Sequence, residues 1–288
     1  MKLCRFLASK EAGASASVGL LTSNGGLIDL SQLGHPSLAA LLESDRLTEL
    51  LQDIESRNTP QFSADTVRLL APIEKQEVWA AGVTYLRSKT ARMEESNFSA
   101  TAYDRVYDAE RPELFFKSIA EKVVGSGDAI GVRSDSRWTV PEPELALVFN
   151  SKGKAVGFTI GNDVSARDIE GENLLYLPQA KIYSQSCALG PCIRVGASEA
   201  EARTWRIGIQ ILRAEKVVFE GETTVQRLKR SFEELSAFLF RSQQFPHGSV
   251  LLTGTGVVPP DDFSLIPGDL VRIDISGVGR LENTVVAV

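Results

Sequence analysis

Histidine is scarce in this 288-residue sequence: only His35 and His247 occur. Chemistry that needs a cluster of imidazoles is therefore nearly excluded at once. Cysteine is scarce as well. Cys4, Cys187 and Cys192 form no C-x-x-C pair, and an odd count without that spacing argues against a disulfide framework or a zinc knuckle. No apolar run approaches the ~18 residues that a membrane helix needs. The opening Met1-Lys2-Leu3-Cys4-Arg5 lacks the apolar stretch of a secretory signal. There is no basic block, and 31 Lys and Arg against 37 Asp and Glu leave a formal charge of -6. That balance disfavours a nucleic-acid partner. What remains is a soluble, cytoplasmic protein acting on a small molecule. An apolar share of 43% and a charged share of 24% are ordinary globular usage, and the length suits one large domain with a small appendage.

Residues 1–70 read as that appendage. Ser23-Asn24-Gly25-Gly26 is a hairpin-turn signal between short strand-like stretches. Leu38, Leu41, Leu42, Leu47, Leu50, Leu51 and Ile54 recur at helical spacing with acidic residues between them, which predicts an amphipathic helix, broken or whole. Beyond Pro72 short apolar runs alternate with Gly and Pro: 78–83, 114–116, 145–149, 156–160, 207–212, 250–253 and 270–275. This is a β-rich segment from 71 to 288. Its clearest helix opens at Ser231, with Glu234 three residues on as in a capping box.

The most informative stretch is Val140-Pro141-Glu142-Pro143-Glu144-Leu145, running to Phe149, then a turn Asn150-Ser151-Lys152-Gly153-Lys154, then an apolar run ending at Gly161-Asn162-Asp163. The turn residues make it a hairpin. Side chains alternate along a strand, so Glu142 and Glu144 share a face. With Val156 opposite Phe149, Asp163 falls opposite Glu142, its Cβ about 5 Å away on that same face. Three carboxylates so placed repel unless one is protonated or a cation sits among them. The donors are all hard oxygens, which favours Mg²⁺, Mn²⁺ or Ca²⁺ over zinc or copper. Pro141 and Pro143 remove ladder donors, as expected at a site mouth or a sheet edge.

These residues resemble a known family. Glu142-Pro143-Glu144-Leu145, Asp163-Val164-Ser165-Ala166-Arg167-Asp168 and Lys181 are similar to the metal-site motifs of the fumarylacetoacetate hydrolase superfamily. Pro112 to Lys117, Leu252 to Gly256, Pro267-Gly268-Asp269 and Gly277 to Asn283 resemble its flanking motifs in the same order. The resemblance spans roughly 72 to 288. It implies an α+β fold, a mixed β-roll with flanking helices and a small, variable N-terminal domain. It also implies a homodimer or homotetramer, and a divalent cation, commonly Mg²⁺, on Glu142, Glu144 and Asp163.

One departure narrows the chemistry. The family's hydrolases carry a His–Glu dyad in a G-x-N-Y-x-x-H-x-x-E segment. Here Gly82-Val83-Thr84-Tyr85 leads to Ser88 and Ala91 at those two positions, and neither relays a proton as imidazole and carboxylate do. The superfamily's 2-keto-3-deoxy-D-arabinonate dehydratases do without the dyad. The sequence resembles that branch in particular at 80–85, 111–117 and Leu175 to Tyr183. The expected reaction is loss of water from a 2-keto-3-deoxy-pentonate to give 2,5-dioxopentanoate, with a metal-stabilised enolate.

Lys181 and Glu113 are the candidate acid–base pair, with the first base open between them; a salt bridge to the carboxylates is the alternative role of Lys181, and a surface strand-end position that of Glu113. Arg167 is expected to pair with a carboxylate near the metal or with substrate oxygens, and Thr255, Tyr85 and Ser88 are the other expected substrate contacts. Arg87, Lys89 and Arg92 add positive charge near an anionic ligand. Cys187 and Cys192 are expected as packing residues. Two other readings stay open: an acylpyruvate-type C–C hydrolase or oxaloacetate decarboxylase, and a non-catalytic keto-acid-binding relative.

Overall fold

Short apolar runs bounded by glycine, proline and polar turns dictate strands over most of the chain. The computed structural model describes residues 1–9, 15–86 and 105–288, and strands dominate it. The N-terminal segment supplies β1 (Lys2–Leu7), β2 (Ser17–Leu21), β3 (Gly26–Asp29), β4 (Phe62–Ser63) and β5 (Arg68–Leu70). Then come β6 (Glu77–Gly82), β7 (Glu113–Ile119), β8 (Ala129–Val132), β9 (Thr139–Val140), β10 (Pro143–Phe149), β11 (Ala155–Asp163), β12 (Ser165–Ala166) and β13 (Cys187–Val195). The last part adds β14 (Arg206–Arg213), β15 (Lys216–Thr224), β16 (Ser249–Leu252), β17 (Leu270–Ile275) and β18 (Gly279–Ala287).

Among the described residues, eleven strands form one sheet in the order β4-β3-β2-β1-β13-β11-β10-β16-β6-β7, with β5 beside β1. Five form a second sheet, β15-β14-β17-β18-β8, and β9 pairs with β12. Most pairs are antiparallel, while β6–β16 and β8–β18 are parallel, so the architecture is mixed, as expected. The N-terminal strands do not form a sheet of their own: Lys2 and Leu3 of β1 pair with Arg194 and Ile193 of β13.

The large sheet is buried on both faces where it matters. Leu145, Leu147 and Phe149 of β10 join Phe158, Ile160 and the isoleucines of the smaller sheet (Ile207, Ile209, Ile273) in one core. Ala146 and Val148, pointing the other way, join Leu20, Ile28 and helix residues such as Leu38 and Leu51 in the second. A strand covered on both faces reads as an unbroken apolar run, which is how 145–149 reads. The predicted leucine-rich helix is two helices, Leu38–Leu42 and Leu47–Arg57. Helix Phe232–Leu239 starts where expected, with the Ser231 hydroxyl accepting from the Glu234 N–H. Among the described residues no helix is long and apolar enough to cross a membrane.

Candidate active site

The hairpin turn closes by donation from the Asn150 N–H to the Lys154 carbonyl at 3.0 Å. The Asn150 side-chain oxygen accepts from the N–H groups of Lys152 and Lys154. From Val148 back to Pro143 the register is the expected one, Glu144 opposite Gly161 and Pro143 opposite Asn162. The Asp163 N–H donates to the Glu142 carbonyl at 3.1 Å, so these two residues face each other across the end of the ladder. A bulge between Val148 and Phe149 places Ala155, not Val156, opposite Phe149. It sits at the turn and leaves the far end untouched. The prolines mark the mouth of a site rather than a sheet edge, because β10 lies in mid-sheet between β11 and β16.

Glu142, Glu144 and Asp163 are thereby brought together. Each is buried, and one carboxylate oxygen from each lies within 4.8 Å of the others. Glu144 feels the crowding directly. Its carboxylate accepts from the Gly254 N–H at 2.6 Å, and among the described residues no ion pair reaches it. Burial first, then the charges of Asp163 and Glu142, hold its carboxyl well above the ordinary carboxylate range. A divalent cation would relieve that repulsion, and three buried hard oxygens are the donor set that magnesium or manganese takes. The residues present therefore fit such an ion.

Three buried cations surround the carboxylates. Lys181 Nζ lies 3.0 Å from Glu142 and 3.3 Å from Asp163, and donates to the Ser165 hydroxyl at 2.6 Å. It sits on the last turn of helix Leu177–Lys181, over the Phe115 ring at 5.6 Å. Arg167 Nη2 donates to Glu142 at 2.7 Å. Its guanidinium thus holds a carboxylate of the cluster, the first of the two roles the sequence offers for it. Lys117 is wholly buried, pairs with Asp163, and donates to the carbonyls of Val164 and Lys181. Its role follows from a β-bulge: Val78 pairs with Ser118 but Trp79 with Phe116, which leaves Lys117 as the extra residue. Bulges re-aim side chains in this way. Lys117 was read only as part of a motif, and no local pattern marks it as a partner of Asp163. Glu170, buried beside Lys181 and Arg167, was missed. Its spacing of three residues from Arg167 on one helix face is the signal that could have found it.

The other expected residues fall out as follows. A small cavity beside the carboxylates is lined by Glu113, Phe115, Arg167, Glu170, Lys181 and Thr255, among others. Glu113 also lines a larger apolar chamber with Arg111, Leu174 and Leu177. Its carboxylate occupies space that Gly82 leaves open: a Cβ there would lie 2.0 Å from Glu113 Oε2. The Thr255 hydroxyl donates to the Val257 carbonyl at 3.1 Å, so it braces its own loop. Tyr85 is buried in the core and lies off the cavity lining. Burial, and then the charge of Glu144, push its phenol far above the ordinary range. Ser88, with Arg87, Lys89, Ala91 and Arg92, lies outside the described residues. His247 is exposed on a turn and His35 is half-buried in the N-terminal segment; neither lines the cavity.

Residues 77–286 match the family model for the C-terminal part of fumarylacetoacetate (FAA) hydrolase. The chain belongs to the fumarylacetoacetate hydrolase family. Within it, the chain is 40% identical to a probable 2-keto-3-deoxyxylonate dehydratase of Haloferax volcanii, over 99% of this chain and 96% of that one. It is 44% identical to the 2-dehydro-3-deoxy-D-arabinonate dehydratase of Saccharolobus solfataricus, over 76% and 75%. A solved 2-keto-3-deoxy-D-arabinonate dehydratase, complexed with magnesium and 2,5-dioxopentanoate, matches the fold with a TM-score of 0.79 at 36% identity. That match covers 100% of this chain and 99% of the other.

Proposed function

We propose that this chain is a divalent-metal-dependent hydro-lyase that removes water from a 2-keto-3-deoxy-pentonate to give 2,5-dioxopentanoate. The observation that carries this reading is the buried face of Glu142, Glu144 and Asp163 with Lys181 against it, in a chain 40% and 44% identical to two dehydratases. Those three carboxylates would hold the cation, magnesium by preference. When bound it supplies Lewis-acid polarisation of the keto acid's oxygens.

The rest of the chemistry falls to side chains. Of the three buried cations, Lys181 and Arg167 line the cavity, and an arginine does not give up its proton. Lys181 is therefore the candidate base: its ammonium first gives up a proton to solvent, and the neutral amine then takes the C3 proton. Glu113, half-buried between the cavity and the apolar chamber, gives a proton to the C4 hydroxyl, which leaves as water. Moving one proton from C5 to C3 and collapse of the resulting enol complete the aldehyde. Arg167 and Lys117 hold Glu142 and Asp163 in place.

Hydrolysis of acylpyruvates fits less well, since neither histidine lines the cavity and Ser88 and Ala91 stand at the dyad positions. The test is an NMR-monitored incubation with 2-keto-3-deoxy-pentonate, an acylpyruvate and oxaloacetate, each with Mg²⁺ and with EDTA. The expected result is 2,5-dioxopentanoate from the first, only with metal. Turnover of either other substrate with the pentonate untouched would overturn the assignment.

A further inference from the structure

Glu142 and Glu170 share the same two cations, oxygen by oxygen. Arg167 donates from Nη2 to Glu142 Oε1 at 2.7 Å, and its Nε lies 3.9 Å from Glu170 Oε2. Lys181 Nζ lies 3.0 Å from Glu142 Oε2 and 4.0 Å from Glu170 Oε1. The four charges form a closed ring at the wall of the cavity. Glu170 is only 2% exposed, and a carboxylate so deeply buried is costly to keep unless cations face it.

The two glutamates are not equivalent. Glu142 belongs to the carboxylate face that fits a divalent cation, and Glu170 does not. Among the described residues Lys181 donates to Ser165 Oγ at 2.6 Å, to Glu142 and to Asp163. The oxygens of Glu142 and Asp163 are ones that a divalent cation would claim. A metal arriving there competes with Lys181 and Arg167 for the same lone pairs, and repels both. A buried ammonium that loses its counter-ion must find another. Glu170 already stands within 4.0 Å.

We propose that Glu170 is a positioning residue that takes up Lys181 and Arg167 when a divalent cation claims Glu142 and Asp163. It thereby sets how readily metal loads and keeps Lys181 at the cavity. The inference rests on the metal-site reading above.

The test is calorimetric titration of the full chain with MgCl₂ alone, for the wild type, Glu170→Gln, Glu170→Asp, Lys181→Met and the double variant Glu170→Gln/Lys181→Met. The expected result is a roughly 10–100-fold weaker Kd for Glu170→Gln, the scale at which partners of metal ligands act, with Glu170→Asp between it and the wild type. In the Lys181→Met background the same Glu170→Gln change costs much less, because one displaced cation is gone. An equal loss in both backgrounds means that Glu170 acts only through its long-range charge, and overturns the proposal. So does an unchanged Kd with a lowered melting point of the metal-free protein, the mark of a merely structural role. If Glu170→Gln does not fold, Glu170→Asp decides by the same criterion of weakened against unchanged Kd. A wild type that binds no Mg²⁺ overturns the metal-site reading itself, and the inference with it.

Discussion

At the scale of single residues, the site sets a divalent cation in competition with the cations already paired to its carboxylates. Lys181 satisfies its ammonium on two of the three carboxylates that fit a divalent ion. Its removal therefore has two effects of opposite sign. Lys181→Ala is expected to lower kcat by roughly 10²–10⁴-fold, the usual contribution of a positioned base. The same change removes a competitor for Glu142 and Asp163, so Mg²⁺ affinity should hold or rise. Steady-state kinetics and calorimetry on the same preparation check both. A variant that loses Mg²⁺ affinity along with activity would mean that Lys181 builds the site rather than acting in it. Glu144 shows the other side of the balance. Among the described residues its carboxylate accepts from the Gly254 N–H, while burial first, and then the charges of Asp163 and Glu142, raise its pKa.

At the scale of elements, that N–H is delivered by a loop that only glycine can form. Gly254 has φ +93°, and a Cβ there would lie 2.0 Å from Thr84 Oγ1 and 2.9 Å from the Ala81 carbonyl. Gly268 has the same φ of +93° with nothing within 4 Å of its missing Cβ, so it serves as a control for backbone strain alone. Each Gly→Ala change should cost ~1–2 kcal/mol for the left-handed backbone, read as a lower melting point. Only Gly254→Ala should also weaken Mg²⁺ binding, because the loop must shift and carry its N–H away from Glu144. Equal Mg²⁺ affinities for the two variants would detach this loop from the site. The β10–β11 hairpin makes the complementary point. Its bulge lies at the turn, and the ladder beyond it keeps Glu142 facing Asp163 at the other end.

At the scale of the whole molecule, burial governs the thiols. Cys4, Cys187 and Cys192 are all buried and free. Burial is the first cause of each shift; it pushes Cys187 up to about 12 and Cys192 up to about 11. Unfolded thiols ionise near 9.0, so the folded state holds protons that the unfolded state releases between that pH and the folded values. Their contribution to stability is complete below about 9 and is lost as pH rises toward 11 and 12. At pH 8 a chromogenic disulfide reagent should label no cysteine in the native protein and three in denaturant. Labelling of the native protein without unfolding would contradict the packing role of these residues. A melting point that stays level to about pH 9 and then falls is the matching thermal signature.

Much of this was legible before any coordinates. Turn residues at 150–154 and the two-residue period of a strand were enough to set Glu142, Glu144 and Asp163 on one face, because hairpin register is a local property. The helical face of the leucine-rich stretch and the Ser231 cap were local as well, though whether that stretch was one helix or two stayed open. Long-range packing decided the rest. Lys117 reaches Asp163 only because a bulge in β7 turns it inward, and a bulge depends on the partner strand, which here lies 31 or more residues away in sequence. The N-terminal strands share a sheet with β13, a pairing across some 190 residues that no periodicity announces. The charge ring of Glu142, Arg167, Lys181 and Glu170 joins the residue just before β10 to two short helices. The sequence by itself determined which carboxylates meet, since neighbours in a hairpin need only a turn and a period. Which cations hold them was decided by the tertiary structure alone, because charges distant in the chain find each other only once the core has closed around them.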